Sequence, residues 1–292
     1  MSFTIQNHAY LNLIFQWLSY LGNGAFFFVS GYLLRNSSLI QFYEKRLYRI
    51  YPLYLVAVAI ATWKWGATLH DLIIHLFGLQ MIIKPTVELP VLWFVSAIFL
   101  FYLLYPFITR DTPIETLIAS ATIFGAFLLL RAIIGIFDFR IFLYFIPFTI
   151  GIVFQQAEIL KKVPFALSAS ILLPTSIYFL IKFQTWQSFG EGEIGFYVIL
   201  GAMMVAFCCS MYSISQGIST KIIEKIAIGS YPVFLFHFPI LYFYLDLAIH
   251  HIGNTLATAL AYIVLLPIVL VGGYYVQKIE DILKNSIYKY RQ

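Results

Sequence analysis

Three cations stand close together in the run FYEKRLYRIYPLY, residues 42–54. On a helix, Lys45 and Arg49 are four residues apart and Arg46 and Arg49 three apart, so the three cations share one face. Arginine makes bidentate, permanently charged contacts to phosphate oxygens, which suits a phosphate-bearing ligand such as the pyrophosphate of coenzyme A. A basic cluster can also be an anchor that orients a membrane protein. Taken alone, the cluster favours the anchor, and both interpretations stay open.

The histidines and cysteines offer other chemistry. His237 lies in the middle of an apolar run, where a polar side chain either serves a functional site or forms a packing hydrogen bond to a neighbouring helix. His70 and His75 are five residues apart, which is poor spacing for a shared metal on a helix. Cys208 and Cys209 are adjacent and have neither disulfide nor metal-ligand spacing. We therefore predict no metal site.

The composition determines the class of protein that must position these residues. Of 292 residues, 61% are hydrophobic and only 11% are charged, whereas soluble domains carry about 25% charged residues. So few charges cannot cover a water-soluble surface. The composition excludes a soluble enzyme, a disordered chain and a secreted disulfide scaffold, and it indicates an integral membrane protein.

Apolar runs of about 17–25 residues predict the membrane spans, and these must be helices because irregular backbone cannot face lipid. The connections are too short for a separate soluble core, so we predict one integral membrane domain over 1–292. The piece 69–90 is too apolar for a solvated loop and predicts a helix in the interface or dipping into the membrane. The fold class is therefore an all-α polytopic bundle of about nine transmembrane helices: 13–34, 52–68, 91–109, 114–137, 139–156, 164–182, 194–214, 228–249 and 255–276.

The distribution of Lys and Arg predicts the orientation. Thirteen fall on the side of the C-terminus and four on the other, which places the C-terminus in the cytoplasm of a multi-pass protein. Lys64 lies inside the second span and would extend to the interface. Arg131 lies towards the outer end of its span, and we favour a structural role for it. Asp246, near His250 and His251, either forms a polar patch at the outer mouth or marks the membrane edge, and we favour the edge. A chain that starts outside with nine spans implies ten in a complete form.

Four segments carry a resemblance to a known family. FFFVSGYLL at 26–34, followed by the basic run at 42–54, resembles the acyltransferase-3 family of bacterial integral membrane acyltransferases. The segment LWFVS at 92–96 with FYLLYP at 101–106, and SYPVFLFHFPI at 230–240, are similar to two further motifs of that family. FIPFTIGIVF at 145–154 is similar to its mid-chain span. The four motifs come in the family's order and cover nearly the whole chain.

The resemblance implies transfer of an acyl group, usually acetyl, from cytosolic acyl-CoA to a glycan or lipid-linked sugar at the bacterial inner membrane. Acyl-CoA would be a co-substrate, with no bound cofactor and no nucleic-acid partner, and lipid would surround the chain. Lys45, Arg46 and Arg49 would bind the donor. His8 matches the family's essential histidine, and a neutral imidazole can accept the proton of a sugar hydroxyl. Substrate-path residues would be Ser30, Gly31, Trp93, Ser96 and His237.

Two departures from the family pattern leave alternatives open. The arginine that pairs with the family's histidine would lie before Met1, and Ile98 stands where many relatives carry Glu. A catalytically inactive scaffold of glycan assembly is one alternative. A small-molecule or lipid transporter or flippase is another, although the sequence has no inverted repeat. The small residues between Gly22 and Gly31 also have a plain interpretation, which is close helix packing.

Overall fold

A computed structural model describes residues 9–34, 39–185, 194–216 and 220–289. Within these ranges the chain is helical with turns and contains no β-strand. A π-helical turn, Ala261–Leu265, joins the last two helices. The helices are α1 Ala9–Tyr32, α2 Leu39–Trp65, α3 Leu69–Leu76, α4 Leu92–Ile108, α5 Pro113–Ile134, α6 Phe139–Gln156, α7 Phe165–Thr185, α8 Ile194–Ser215, α9 Thr220–Ile252, α10 Asn254–Leu260 and α11 Leu266–Lys289.

A helix covers each of the nine predicted spans, which confirms the all-α polytopic fold class. Among the described residues, α4 is a shorter apolar helix, and six segments are long and apolar enough to cross a membrane. Those six are Pro113–Ile134, Phe139–Gln156, Phe165–Lys182, Gly195–Ser215, Ala227–Ile249 and Leu256–Leu283. The chain is therefore a multi-pass membrane protein.

The second span begins earlier than its apolar pattern predicts. We expected a helix over 52–68, but α2 runs from Leu39 to Trp65 and carries Pro52 in its interior. A proline removes one helix hydrogen bond, and membrane helices tolerate this loss when neighbouring groups satisfy the freed backbone. The basic cluster is consequently part of the same continuous helix as the span that follows it.

The piece 69–90 is helical only in its first third. Thr68 caps α3, because its hydroxyl accepts the amide of Asp71 at 3.2 Å while the Asp71 carboxylate accepts the amide of Thr68 at 3.2 Å. After Leu76 the backbone turns, and Gly78 takes a left-handed φ of 64° that favours glycine. The expectation of a helix through 69–90 is therefore wrong beyond α3.

The chain divides into two compact units, each made of two separate ranges of residues. The first comprises the described residues within 1–41 and 97–218, and the second those within 42–96 and 219–292. The single domain 1–292 that the sequence predicts stays a prediction.

In the first unit, α1 packs on α6 and α8, α7 on α8, and α5 on α6. At Gly31 of α1 and Gly151 of α6 the two helix backbones meet: a Cβ on Gly31 would collide with the carbonyl oxygen of Phe148, and a Cβ on Gly151 with that of Phe28. Gly31, one of the small residues of α1, therefore has the packing role that the pattern predicted.

Aromatic rings fill the space beside this approach. The Phe27 ring of α1 stacks on Tyr144 at 4.9 Å between centroids and meets Phe101 of α4 edge-on at 5.3 Å. Phe101 also contacts Phe145 and Phe148 of α6, at 5.5 Å and 5.1 Å. All five side chains are buried, so α1, α6 and the second half of α4 share one aromatic core.

In the second unit, α9 packs along α11. Their backbones meet at Gly229 and Gly273, where a Cβ on Gly229 would lie 2.6 Å from the amide nitrogen of Tyr274. The start of the last helical stretch packs on the end of α9 through a small cluster of Leu245, Ala257 and Ala261. The helices α9 and α11 thus form the long pair of the second unit. Helix α2 and residues 69–96 of the same unit contribute its polar groups.

Candidate active site

The predicted donor-binding cations lie in the first three turns of α2. Arg46 is half-buried, with its guanidinium carbon 5.7 Å from the centroid of the Phe42 ring, and Arg49 is exposed. Lys45 lies on the same helix, but its side chain is outside the described part of the structure. The two arginines are three positions apart on the helix, so both can reach one ligand at this end of α2.

Two tyrosines of the same run hold the end of α3. The Tyr51 hydroxyl donates to the carbonyl oxygen of Leu76, and the fully buried Tyr54 hydroxyl donates to that of His75 at 2.5 Å. The last four carbonyls of a helix have no partner within the helix. The tyrosines therefore give two of these carbonyls a partner and tie the α3 turn to α2, about half a turn and about one and a half turns beyond Arg49.

Ser96 of α4 reaches the same turn. Its buried hydroxyl donates to the carbonyl oxygen of Gly78. Trp93, one turn earlier, is half-buried and meets Phe94 edge-on at 5.9 Å. The Phe94 ring packs on Phe234 of α9 with centroids 4.0 Å apart. The structure thus brings Ser96 and the tyrosines of the basic motif to one short stretch, residues 75–78.

His237 bonds within its own helix. Its Nδ1 lies 2.8 Å from the carbonyl oxygen of Phe234 and 3.1 Å from that of Val233. Since a carbonyl can only accept, Nδ1 carries the proton, and Nε2 is the acceptor nitrogen of the neutral ring. Nδ1 therefore does not form the hydrogen bond to a neighbouring helix that the packing alternative requires. The functional role of His237 stays a prediction.

Two predicted residues lie in the first unit, and one lies outside the described part. Gly31 is at the close approach of α1 and α6, and Ser30 beside it is half-buried. His8 belongs to the residues that the structure does not describe. The roles of these three residues in binding and catalysis stay predictions.

Sequence reasoning missed a buried polar group in the second unit, formed by Asp71, His75 and Gln80. All three are at most 5% exposed. The Thr68 hydroxyl donates to the Asp71 carboxylate at 2.7 Å, and the Thr86 amide donates to it at 2.7 Å. The Thr68 hydroxyl is the main cause that lowers the pKa of Asp71 to about 2, and the backbone amides add to it. The Thr-x-x-Asp spacing of a capping box was the available signal.

Lys64 and Asp246, predicted as separate residues at the membrane edge, form an ion pair. Their Nζ and Oδ2 atoms are 3.1 Å apart. The ammonium also lies 4.7 Å from the centroid of the Phe243 ring and 5.1 Å from that of Tyr242. The pair joins α2 to α9 within the second unit. Among the described residues, no group of three His, Cys, Asp or Glu side chains is placed to hold a metal ion.

Comparison with known families identifies the chain. The family model of the acyltransferase-3 group, described as an acyltransferase domain, matches residues 2–277. The chain belongs to this family. It is therefore an enzyme of the acyltransferase class that transfers groups other than aminoacyl groups. No curated protein and no solved structure matches the chain.

For an acyltransferase, the second unit offers two kinds of recognition on neighbouring stretches. Arg46 and Arg49 provide permanent positive charge at the start of α2. The buried turn after α3 provides neutral hydrogen-bonding groups, which suit an uncharged polar ligand. The helix α2 carries the cations and also Tyr54, which holds the turn.

Proposed function

We propose that this membrane acyltransferase moves an acyl group, acetyl in the simplest case, from acyl-CoA to a hydroxyl of a cell-surface polysaccharide or a lipid-linked sugar. The observation that carries the proposal is the pair Arg46 and Arg49, one helical turn apart at the start of α2. Two guanidinium groups at that spacing complement the pyrophosphate of coenzyme A. The exposure of Arg49 leaves room for a ligand that approaches from solvent.

The reaction is an acyl exchange between a thioester and an alcohol. The acceptor hydroxyl attacks the thioester carbonyl, a C–O bond forms, the C–S bond breaks, and the hydroxyl proton ends on the released thiol. His8 is proposed as the base that carries this proton, on the strength of the family resemblance. The proposed donor site also includes Lys45, and the substrate path includes Ser30, Gly31, Trp93, Ser96 and His237.

The proposed location is the bacterial inner membrane, with the C-terminus in the cytoplasm. The bias of Lys and Arg supports this orientation. In it, the first turns of α2 face the compartment that contains acyl-CoA. The donor would therefore reach Arg46 and Arg49 without crossing the membrane.

Transfer of label tests the proposal. Membranes that contain the chain receive acetyl-CoA labelled in the acetyl group, and base-labile label is followed into lipid-linked and polymeric sugar. Variants Arg46→Ala and Arg49→Ala should each raise the KM for acetyl-CoA about 10–100-fold, because charge-assisted hydrogen bonds to phosphate contribute about 1.5–3 kcal/mol. The variant His8→Ala should lower kcat about 10²–10⁴-fold with the donor KM unchanged, as loss of a general base does.

Arg110→Ala is the matched control, since it removes an exposed arginine predicted on the same side of the membrane. It should leave the donor KM within about twofold of the parent protein. Equal losses in Arg110→Ala and Arg46→Ala would mean that the basic cluster only anchors the chain. No label above that of empty membranes, with the protein correctly inserted, would favour transport or an inactive scaffold over acyl transfer.

A further inference from the structure

The buried turn after α3 contains two polar atoms whose hydrogen-bonding capacity the protein does not use. Within the described part of the chain, His75 Nδ1 and Gln80 Nε2 are buried without a hydrogen-bond partner. His75 is 0% exposed and Gln80 5% exposed. Buried polar groups in folded proteins almost always have partners, so two such atoms five residues apart in one turn call for an explanation.

The geometry of its hydrogen bond shows which ring nitrogen of His75 has no partner within the described part of the protein. Its Nε2 lies 3.1 Å from the carbonyl oxygen of Val87. A carbonyl can only accept, so Nε2 carries a proton, and in the neutral form of the ring Nδ1 presents a lone pair. His75 therefore offers a hydrogen-bond acceptor in the interior of the second unit.

Gln80 offers one further group next to the same tyrosine. The Tyr54 hydroxyl has a single proton, which it gives to the carbonyl oxygen of His75 at 2.5 Å. The side-chain oxygen of Gln80 is 3.4 Å from that hydroxyl. Turning the Gln80 amide around would let its nitrogen donate to the Tyr54 oxygen and would leave its own oxygen unused instead. In either orientation one terminal atom of Gln80 has no protein partner.

Hydrogen bonds fix the segment that contains these two atoms, so the atoms do not belong to a loosely packed loop. The hydroxyls of Tyr51 and Ser96 bind the carbonyl oxygens of Leu76 and Gly78. The Asp71 carboxylate accepts the amide of Thr86 at 2.7 Å, which closes the segment on itself. The turn is thus fixed on both sides of His75 and Gln80, so the unused atoms belong to a preorganised arrangement.

We propose that His75 and Gln80 form a hydroxyl-binding subsite that positions the acyl acceptor. A hydroxyl group donates to Nδ1 of His75, and the same hydroxyl or its neighbour on the ligand pairs with the free end of the Gln80 amide. A hydroxyl can both donate and accept, and a sugar carries hydroxyls on adjacent carbons. The inference rests on the proposed function, in which a hydroxyl-bearing sugar accepts the acyl group.

The first experiment is independent of acyl transfer. Diethyl pyrocarbonate acylates the neutral nitrogen of imidazole, and mass spectrometry of the full-length protein in membranes measures its reaction at each histidine. His70, which is 70% exposed on the same helix, is the internal control. A subsite that admits a sugar must admit this small reagent, so His75 should react to completion, more slowly than His70. A His75 that stays unmodified after His70 has fully reacted would overturn the proposal.

The second experiment uses the transfer assay with labelled acetyl-CoA. Gln80→Leu keeps the size of the side chain and removes its polar end, and His75→Gln removes the ring. Each should lower transfer to sugar about 2–10-fold, as loss of a neutral hydrogen bond does, while the KM for acetyl-CoA stays within about twofold. His70→Gln should transfer like the parent protein. The melting temperature of each variant shows whether it folds.

The outcomes separate the two proposals. If the parent protein transfers label and Gln80→Leu transfers it equally well, the polar atoms hold only an internal water, and the subsite is refuted while acyl transfer stands. If the parent protein transfers no label, the proposed function fails, and the reactivity of His75 alone decides whether the turn is an open hydroxyl site. A donor KM that rises in Gln80→Leu as much as in Arg46→Ala would also refute a role specific to the acceptor.

Discussion

The substitution Gly31→Ala tests the packing of α1 on α6 most directly. A Cβ at this position would collide with the carbonyl oxygen of Phe148, and it would lie 3.0 Å from that residue's carbonyl carbon and 3.3 Å from the amide nitrogen of Ile152. All three atoms belong to the backbone of α6, so no side-chain rotation can relieve the collision. The two helices must move apart over the aromatic core that they share.

The size of the effect follows from two opposing contributions. Overpacking a close interface costs about 1–3 kcal/mol, and sometimes more. Alanine is intrinsically better than glycine inside a helix by about 0.5–1 kcal/mol. A Cβ on Gly22 of the same helix would meet no atom within 4 Å, so Gly22→Ala isolates the second contribution. Both variants gain the helix preference of alanine, so Gly31→Ala should be less stable than Gly22→Ala by the overpacking cost alone, about 1–3 kcal/mol.

Thermal unfolding in detergent measures the difference. For chains of about 150–250 residues, 1 kcal/mol shifts Tm by about 2–4 °C, so Gly31→Ala should melt several degrees below Gly22→Ala. The parent protein should melt between the two variants. A Gly31→Ala variant that melts at or above Gly22→Ala would refute the backbone-to-backbone packing of α1 on α6.

Three further predictions concern polar groups. Asp71→Asn should melt below the parent protein at pH 6. Because the pKa of Asp71 is lowered to about 2, the stabilisation from its charge is present above about pH 4 and is lost as the pH falls towards 2. The melting temperatures of the two proteins should therefore converge near pH 2, and a difference that stays constant with pH would contradict the assignment. Ser210→Ala removes a 2.9 Å hydrogen bond to Ser168 between α8 and α7, and thermal unfolding should show a loss of about 0.5–1 kcal/mol; no loss would mean that the bond contributes nothing. A double-mutant cycle on Lys64→Gln and Asp246→Asn should give a coupling of only about 0.2–1 kcal/mol, because the two side chains are 22% and 56% exposed; a coupling above about 2 kcal/mol would show that the pair is shielded from solvent.

The spans were predictable because lipid imposes one rule on every helix that crosses it. Apolar runs bounded by charges or by proline and glycine located nine segments that are helical in the structure. Among the described residues, six helical segments are long and apolar enough to cross a membrane. The rule failed at Pro52, where the sequence pattern indicates a boundary but the helix continues. A proline shows which hydrogen bond is lost and gives no information on whether other groups compensate for it.

The polar turn was not predictable, because its bonds join residues far apart in the chain. Tyr51 and Tyr54 contact carbonyls 25 and 21 residues away. Tyrosine in a membrane protein is abundant at the lipid interface, so composition alone assigns both residues to an aromatic belt. The sequence analysis considered His75 only for a metal site shared with His70 and rejected that site because of the spacing, whereas in the structure the His75 ring binds the backbone at Val87. Such pairings depend on tertiary contacts that no local period encodes.

One helix links the two halves of the proposed reaction in the second unit. Arg49 precedes Tyr54 by five residues, which is about 7.5 Å along a helix axis. Tyr54 in turn holds the carbonyl of His75 and lies beside Gln80. The proposed donor cations and Tyr54 therefore lie on the same helix, and Tyr54 connects that helix to the proposed acceptor subsite. Tyr54→Phe should therefore lower transfer of label although it removes neither a cation nor a subsite side chain, and its effect should add little to that of Gln80→Leu, since both act through the same turn.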